Sequence, residues 1–125
     1  MAGLAFLFPG QGSQEAGMGK ALAESSAAAR AVFEEVDDAL NERLSSLIFG
    51  GPDEALTLTR NTQPALMAVS LAAILSLEAD HGIAVGDADF VAGHSLGEYS
   101  ALCAAGALRL DDAARLLRLR GEAMQ

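Results

Sequence analysis

A serine held between two glycines, where an apolar segment gives way to a helical one, most restricts what this chain can fold into. The stretch VAGHSLGEYSALCAAG contains GHSLG, which fits the pattern Gly-x-Ser-x-Gly around Ser95. The preceding DFVAG predicts a β-strand and the following LGEYSALCAAGAL predicts a helix. A turn sharp enough to join them has no room for neighbouring Cβ atoms, so glycines are needed. The pattern predicts a nucleophile elbow with Ser95 at its tip. A glycine-rich turn with a surface serine is the alternative.

A second glycine-rich turn follows the first apolar run of the chain. LAFLF, from Leu4 to Phe8, predicts a fully buried strand of a parallel sheet, and FPGQGSQ continues from it. Parallel neighbours would place both turns at the carboxyl edge of the sheet, where sites of α/β proteins form. The backbone N–H groups of Leu96 and of Gln11 or its neighbours would then form an oxyanion hole. A tight strand-exit loop is the alternative for the second turn.

Most of the chain between these strands has helical periodicity, so the predicted class is α/β. Ser25 or Ser26 is expected to cap one of two successive helices, and another helix is expected to begin at Asp53. A long helix follows, with Asn61 or Thr62 as its cap, Pro64 in its first turn and Gly82 as its stop. The last helix is predicted over 110–125, capped by Asp111.

Composition and charge exclude several classes of partner. The 125 residues suffice for one domain, 51% of them are apolar, and the net charge of −9 argues against nucleic acid and anionic membrane surfaces. The apolar stretch from Asn61 to Leu77 is shorter than the ~20 residues a membrane span needs, so a buried helix is expected. A single cysteine, Cys103, and the lack of a basic region before the first apolar run indicate a reducing, cytoplasmic location without a signal peptide.

Two features suggest that the chain is the front part of a larger protein. Only two strands are evident, separated by about 80 residues, whereas a parallel sheet normally has several strands. The last helix also reaches Gln125 without a capping residue after it. We therefore expect residues 1–125 to be one incomplete domain that needs the rest of the same enzyme.

The last helix carries an arginine in an unusual position. Its apolar stripe is predicted to contain Ala113, Leu116, Leu117, Ala123 and Met124, by spacings of three and four residues. Arg120 projects from that same stripe, whereas Arg115 and Arg118 are predicted to point elsewhere. A guanidinium on a buried face requires an anionic partner, and its planar fork suits a carboxylate. A structural pair with a buried Asp or Glu, or a side chain that extends to solvent, is the alternative.

A general base for the serine is not evident among the two histidines. His94 adjoins Ser95, and neighbouring residues leaving a strand point to opposite faces. His81 is expected in the last turn of the long helix, where a structural role suits it better. The base is therefore expected from outside these residues. A single cysteine and two scattered histidines do not suggest a metal site either.

Four motifs of this chain together resemble the malonyl-CoA:acyl-carrier-protein transacylases of fatty acid synthesis and the acyltransferase domains of polyketide synthases. They are FPGQGSQEAGMG, NTQPAL, GHSLGEYSAL and RGEAMQ, which occur in the family's order. The resemblance implies the N-terminal part of an α/β-hydrolase-like large subdomain, with a parallel sheet flanked by helices. It also implies that a ferredoxin-like subdomain and the remainder of the large subdomain are missing here.

The resemblance implies a role for five residues. Ser95 matches the nucleophile that takes the acyl group, and Gln11 and Leu96 match the oxyanion-hole N–H donors. Arg120 matches the arginine that binds the malonyl carboxylate, and Gln63 matches a glutamine lining the pocket, a weaker match. The family's catalytic histidine matches nothing in this chain, so the isolated 125 residues are expected to be inactive.

The implied activity is transfer of malonyl from malonyl-CoA to the phosphopantetheine thiol of acyl carrier protein through a malonyl-serine, without metal or bound cofactor. Other carboxylated acyl groups would also suit Arg120. The alternatives are a serine acyl hydrolase of patatin-like or lipase-like type, and a non-catalytic fragment. Met1, close before the first strand, favours a free-standing enzyme over a synthase domain. The basic residues between Arg109 and Arg120 either help to dock the acidic CoA and carrier protein or are neutralised by Asp111, Asp112 and Glu122; neutralisation is preferred.

Overall fold

The computed structural model describes residues 3–125, an α/β arrangement of a small parallel sheet and helices. Met1 and Ala2 lie outside the described residues, and with them the expectation drawn from Met1. The strands are β1 (Ala5–Phe8) and β2 (Phe90–Gly93). The helices are α1 (Lys20–Ser25), α2 (Ala27–Leu40), α3 (Leu44–Gly50), α4 (Asp53–Thr57), α5 (Thr59–His81), α6 (Gly97–Ala104) and α7 (Leu110–Met124).

The two strands pair in parallel, with Ala5 opposite Phe90 and Phe8 opposite Gly93. Both strands therefore end at the same level, and the two glycine-rich turns leave the sheet side by side. A hydrogen bond from the His94 backbone N–H to the Phe8 carbonyl, 3.1 Å long, extends the pairing into the turns. The predicted placement of both turns at the carboxyl edge is therefore confirmed.

The expectation that β1 is fully buried was wrong. Phe8 is buried against Ile74 of α5 and Ala101 of α6, but Leu7 is 77% exposed. Successive side chains of a strand point to opposite faces, and helices of the described residues cover only one face of this sheet. Phe90 of β2 is likewise 67% exposed. The residues of β1 are apolar enough to be buried on both faces of the sheet, but the described part of the chain covers only one face.

The main core lies between the helices rather than against the sheet. Helix α5 packs against both α2 and α7, and α2 also packs against α7. By length and composition α5 would be long enough to cross a membrane, but 61% of its most apolar window is buried inside the protein. It is the central helix of this core, in agreement with the expected buried helix. The buried side chains that α2, α5 and α7 bring together include Val32, Phe33, Val36, Leu66, Met67, Leu71, Ala113, Ala114 and Leu117.

The predicted ends of the first helices are mostly confirmed. The Ser26 hydroxyl accepts a hydrogen bond from the Ala29 backbone N–H at the start of α2. Helix α4 begins at Asp53 as expected, and Gly82 ends α5 with a left-handed φ of 71°. A glycine suits that conformation because it has no Cβ.

The caps predicted for α5 and α7 were wrong. Helix α5 begins at Thr59, two residues earlier than Asn61, so Pro64 comes in its second turn rather than its first. The Asn61 and Thr62 side chains instead donate to the carbonyls of Ala55 and Leu56 in α4. They join two successive helices, so they are not available to cap one.

Helix α7 begins at Leu110, directly after Arg109. Asp111 lies in its first turn, where its carboxylate accepts from the backbone N–H of Asp112 and from the Arg109 guanidinium. Helix α6 is shorter than predicted. It ends at Ala104, before Gly106, which has a φ of 85°.

Candidate active site

The turn from β2 into α6 has the geometry of a nucleophile elbow. Ser95 has a φ of 57°, a left-handed conformation that is uncommon for a residue with a side chain. A Cβ on Gly93 would collide with the backbone of Gly97, and one on Gly97 would collide with the Phe8 carbonyl. The two glycines thus let the strand, the turn and the next helix approach more closely than other residues allow. The turn leaves the Ser95 side chain exposed and Leu96 fully buried.

The turn after β1 lies beside this elbow. A Cβ on Gly10 would stand 2.7 Å from the His94 carbonyl oxygen, so glycine permits the two turns to touch. The Gln11 side-chain Nε2 donates to the Thr59 hydroxyl over 3.2 Å, which ties the turn to the start of α5. Within residues 3–125, the backbone N–H groups of Gln11 and Leu96 donate to no other group. Their role as an oxyanion hole stays a prediction, but both donors remain available at adjacent turns.

Arg120 of α7 lies next to the serine. Its guanidinium Nη2 is 3.3 Å from the Ser95 hydroxyl oxygen, and its Nη1 donates to the Gln63 Oε1 over 2.8 Å. Gln63 is 1% exposed, and its amide nitrogen also donates to the Met124 sulfur over 3.2 Å. The structure therefore brings together Ser95, Arg120 and Gln63, residues separated by up to 57 positions in sequence.

The guanidinium of Arg120 has only neutral hydrogen-bond partners among the described residues. The ion pairs in this part of the chain involve Arg109, Arg115 and Arg118, and none involves Arg120. The alternative of a structural pair with a buried Asp or Glu is therefore not realised within residues 3–125. A partly buried cation next to an exposed hydroxyl can accept a negatively charged group at this point.

The predicted stripe of α7 was partly wrong. Ala113 and Leu117 are buried as expected, but Leu116 is 43% exposed and Met124 is 56% exposed. Ala123 is also exposed, and Ala114 and Gly121 take the buried positions instead. The true stripe follows a spacing of three to four residues through Ala113, Ala114, Leu117 and Gly121, which sets Arg120 at its edge rather than within it.

Arg118 is more buried than expected, and it contacts a carbonyl that a proline in α5 leaves free. Pro64 has no N–H to donate to the carbonyl four residues earlier, that of Arg60. The Arg118 Nη1 donates to this carbonyl over 2.9 Å and to the Asn61 Oδ1 over 2.6 Å. Arg118 also pairs with Glu42, and burial lowers the pKa of its guanidinium from the usual value. The arginine predicted to point away from the core thus fastens α7 to α5.

The basic residues at the start of α7 are paired with neighbouring acids. Asp111 accepts from Arg109 at 3.2 Å and lies 3.6 Å from Arg115, which also contacts Asp112 at 3.2 Å. These pairs favour neutralisation over a free basic docking patch, the preferred of the two expectations.

Neither histidine bonds to the serine. His94 Nδ1 lies 2.9 Å from the position that a Cβ on Gly10 would occupy, so its ring packs against the other turn. His81 ends α5, 18 residues beyond Gln63, which corresponds to about 27 Å along a helix with a rise of about 1.5 Å per residue. Within the described residues, the Ser95 hydroxyl has Arg120 as its hydrogen-bond partner and no general base.

Tyr99 is a neighbour of the site that the sequence analysis missed. The Arg120 guanidinium carbon lies 5.5 Å from the centre of the Tyr99 ring, within the range of a cation–π contact. Tyr99 follows Ser95 by four residues, one turn into α6, and that spacing was the available signal.

Cys103, one turn further, is not a competing nucleophile. Burial, and to a lesser extent the charge of Glu35, raises the pKa of its thiol to about 11.

Comparisons with known proteins agree with this geometry. The malonyl CoA-acyl carrier protein transacylase of Bacillus subtilis strain 168 is 56% identical over 124 residues, which are 99% of this chain and 38% of that protein. A crystal structure of the acyl-carrier-protein-S-malonyltransferase from Bartonella henselae superposes with a TM-score of 0.95 at 65% identity, over 99% of this chain and 40% of that one.

A further structure shows a type II polyketide synthase acyl-carrier protein in complex with its malonyl-transacylase, with a TM-score of 0.91 at 44% identity. The match covers 99% of this chain and 39% of that chain. The chain thus spans about two fifths of the length of these relatives. The family model for the acyl transferase domain matches residues 5–125, so it extends over both turns and the arginine of α7. This chain belongs to the acyl transferase domain family.

Proposed function

We propose that these residues form the nucleophile-bearing part of an [acyl-carrier-protein] S-malonyltransferase of fatty acid or polyketide synthesis. Malonyl-CoA is the acyl donor and the phosphopantetheine thiol of acyl carrier protein is the acceptor. The single observation that carries the proposal is the 3.3 Å distance between the Ser95 hydroxyl and an Arg120 guanidinium without a carboxylate partner in the described residues. A serine that only hydrolysed neutral esters would have no use for that cation.

In the proposed reaction, Ser95 is the nucleophile. Its hydroxyl oxygen attacks the thioester carbonyl of malonyl-CoA, and the N–H groups of Gln11 and Leu96 stabilise the resulting oxyanion. The carbon–sulfur bond breaks and CoA leaves with the proton that the hydroxyl has lost. The thiol of acyl carrier protein then attacks the malonyl-serine ester, the bond between the acyl carbon and the Ser95 oxygen breaks, and the proton of the attacking thiol passes to that oxygen. The remainder of the enzyme supplies the base that moves this proton.

Arg120 selects the acyl group in this scheme. Its guanidinium turns from the Ser95 hydroxyl to the malonyl carboxylate, while Gln63 keeps one of its N–H groups engaged. An acetyl group offers no carboxylate, so the cation would stay unpaired in a site closed by substrate, which is unfavourable. Other carboxylated acyl groups would pair with the same cation. Residues outside this chain would determine which sizes of acyl group fit.

The proposal extends to the whole enzyme. We expect the sheet to continue in an α/β-hydrolase-like large subdomain, with a ferredoxin-like subdomain inserted in the remainder of the chain. Residues 1–125 would be the N-terminal segment of that catalytic domain. The enzyme is expected to be cytoplasmic and to need neither metal nor bound cofactor, because the oxyanion hole and the guanidinium supply the charge stabilisation.

A direct test uses the complete enzyme that contains this chain and a variant with Ser95→Ala. After exposure to malonyl-CoA, intact mass should show one malonyl adduct on the unmodified enzyme and none on the variant, and peptide mapping should locate it at Ser95. Adding holo acyl carrier protein should then move the adduct to its thiol. Arg115→Ala, on an exposed and ion-paired arginine of the same helix, is the matched control and should acylate normally.

The rival functions give different outcomes in the same test. A serine acyl hydrolase would form the adduct but release malonate to water at an equal rate with or without carrier protein. A non-catalytic protein would form no adduct. A malonyl adduct that persists on the Ser95→Ala variant would refute the assignment of the nucleophile.

A further inference from the structure

The guanidinium of Arg120 is held on three sides. Gln63 accepts from Nη1 at one edge, the Ser95 hydroxyl lies 3.3 Å from Nη2, and the Tyr99 ring faces the guanidinium carbon at 5.5 Å. Two of these contacts, those of Gln63 and Tyr99, do not involve the reacting atoms. An acyl group on the serine therefore need not displace them.

Tyr99 itself has a fixed position. It is partly buried and packs against the main core, and its backbone N–H donates to the Leu96 carbonyl over 3.0 Å in the first turn of α6. The same short helix begins at the elbow, so the ring and the serine move together. Arg120, by contrast, is a long side chain near the end of α7, with several rotatable bonds that must be ordered before a carboxylate can bind.

We propose that Tyr99 is a positioning residue for Arg120 and thereby sets the preference of the enzyme for acyl groups that carry a carboxylate. The inference rests on the proposed function, in which Arg120 binds that carboxylate. The negative face of the ring attracts the guanidinium, restricts its rotamers and leaves its N–H edge turned toward Ser95. A guanidinium ordered in advance loses less entropy when it forms a two-point contact with the substrate.

The alternative is that Tyr99 only fills space beneath α7. The two possibilities differ in what they predict for a neutral acyl group. A space-filling ring supports acylation by malonyl-CoA and by acetyl-CoA equally, because both need the same elbow. A ring that orders Arg120 supports only the malonyl reaction, because the acetyl group makes no contact with the guanidinium.

The test compares Tyr99→Leu and Tyr99→Phe in the complete enzyme, with kcat/KM measured for malonyl-CoA and acetyl-CoA in the same preparation. Tyr99→Leu should lower the malonyl value by about 2- to 30-fold, mostly through KM, the range that cation–π contacts span. The kcat/KM for acetyl-CoA should stay unchanged, and it measures how much of the preparation is folded, active enzyme. Tyr99→Phe keeps the ring and should restore the malonyl-to-acetyl ratio.

A second set of variants guards against misfolding of Tyr99→Leu. Progressive fluorination of a phenylalanine introduced at position 99 weakens the negative face of the ring with little change in shape. The malonyl-to-acetyl ratio should fall with each added fluorine. In an Arg120→Ala background neither change at position 99 should alter the ratio, since the partner of the ring is gone.

Three results would overturn the inference. The first is an equal loss of both activities in Tyr99→Leu. The second is a malonyl-to-acetyl ratio in Tyr99→Phe that is as low as the ratio in Tyr99→Leu. The third is a ratio that does not change with fluorination. The Arg120→Ala enzyme separates this inference from the proposed function. If that variant keeps the parental ratio, the carboxylate role of Arg120 fails. If it loses the ratio and the Tyr99 variants keep it, only the role of Tyr99 fails.

Discussion

At the scale of single residues, the site depends on a conformation that most side chains avoid. Ser95 occupies the left-handed region at a φ of 57°, between two glycines whose backbones pack too closely on other backbone atoms to admit a Cβ. Such strain persists only where the surroundings impose it. The result is an exposed hydroxyl at the amino end of α6, next to a guanidinium that has no carboxylate partner within residues 3–125.

Arg120 gives the prediction that belongs to this scale. In the complete enzyme, Arg120→Ala should lower kcat/KM for malonyl-CoA by roughly 30- to 5,000-fold, since truncating one partner of a buried charge pair costs about 2–5 kcal/mol. Transfer of acetyl should change little, so the ratio of the two values narrows. Arg120→Lys keeps the charge but not the planar fork, so its kcat/KM for malonyl-CoA should lie between those of the parental enzyme and of Arg120→Ala.

Steady-state kinetics with both thioesters measures this ratio, with Arg115→Ala as the control that leaves it at the parental value. An unchanged ratio in Arg120→Ala would mean that the cation serves the fold alone.

The residues of the site differ in how well they could be predicted from the sequence. Ser95 follows from a local pattern, because its two glycines and the strand before it are contiguous. The proximity of Arg120 to Ser95 was implied by the family resemblance, whereas the helical stripe, which proved to be partly misassigned, predicted only that Arg120 lies on the apolar face of α7. Arg118 could not be placed by periodicity, because its partner is a carbonyl that Pro64, on a different helix, leaves unbonded. Interactions of this kind depend on tertiary packing, which no spacing along one helix reports.

At the scale of elements, the crossing of α5 and α7 determines whether Gln63 and Arg120 can meet. The helices touch at Gly121, where an added Cβ would stand 2.6 Å from the Arg60 Cα and 2.7 Å from the Thr59 carbonyl oxygen. Both are backbone atoms, so neither can rotate away. The Thr59 hydroxyl also accepts a hydrogen bond from the Gln11 side chain, so the turn after β1 is attached to the same end of α5 that α7 crosses.

Gly121→Ala should therefore be destabilising despite the better helix propensity of alanine. Overpacking at a tight contact costs about 1–3 kcal/mol, against a gain of about 1 kcal/mol from removing a helical glycine. The melting temperature should fall, and KM for malonyl-CoA should rise as α7 is displaced from α5. The matched control is Gly50→Ala in α3, where the added Cβ would have no atom within 4 Å apart from its chain neighbours and the backbone of its own helix.

Differential scanning calorimetry and malonyl-CoA kinetics on both variants measure the effect. A Gly121→Ala enzyme as stable and active as Gly50→Ala would show that the crossing adjusts freely.

The elements themselves were predicted better than their ends. A long apolar helix, two strands before glycine turns and a serine cap follow from periodicity and local chemistry. The starts of α5 and α7 did not, because Asn61 and Thr62 bond to the preceding helix and Asp111 bonds within its own turn and to Arg109. A polar residue near a helix start indicates a cap only when no other backbone group competes for it.

At the scale of the whole molecule, the described residues hold the proposed nucleophile and the guanidinium beside it, but no base for that nucleophile. No histidine of residues 3–125 contacts the Ser95 hydroxyl, and His81 lies about 27 Å along α5 from Gln63. The described residues also leave one face of the sheet uncovered, where Leu7 and Phe90 form an exposed apolar surface.

We therefore predict complementation. The 125 residues alone should form malonyl-serine no faster than the background without protein. When the remainder of the enzyme is added as a separate chain, acylation should rise above that background, as measured by intact mass over time. A Ser95→Ala chain mixed with the same remainder should stay at background. Equal acylation with and without the remainder would show that these residues carry their own base.

The register of the two strands has a consequence for how this sequence can change. Phe8 stands opposite Gly93, so Gln11, three residues after Phe8, and Ser95, two residues after Gly93, follow from the same edge of the sheet. One residue inserted into either strand would carry its turn about 3.3 Å along the sheet and reverse the face to which each later side chain points. The loops between the helices can grow or shrink without that penalty. Length variation among descendants of this sequence should accordingly be absent from 5–8 and 90–93 and concentrated in the intervening loops.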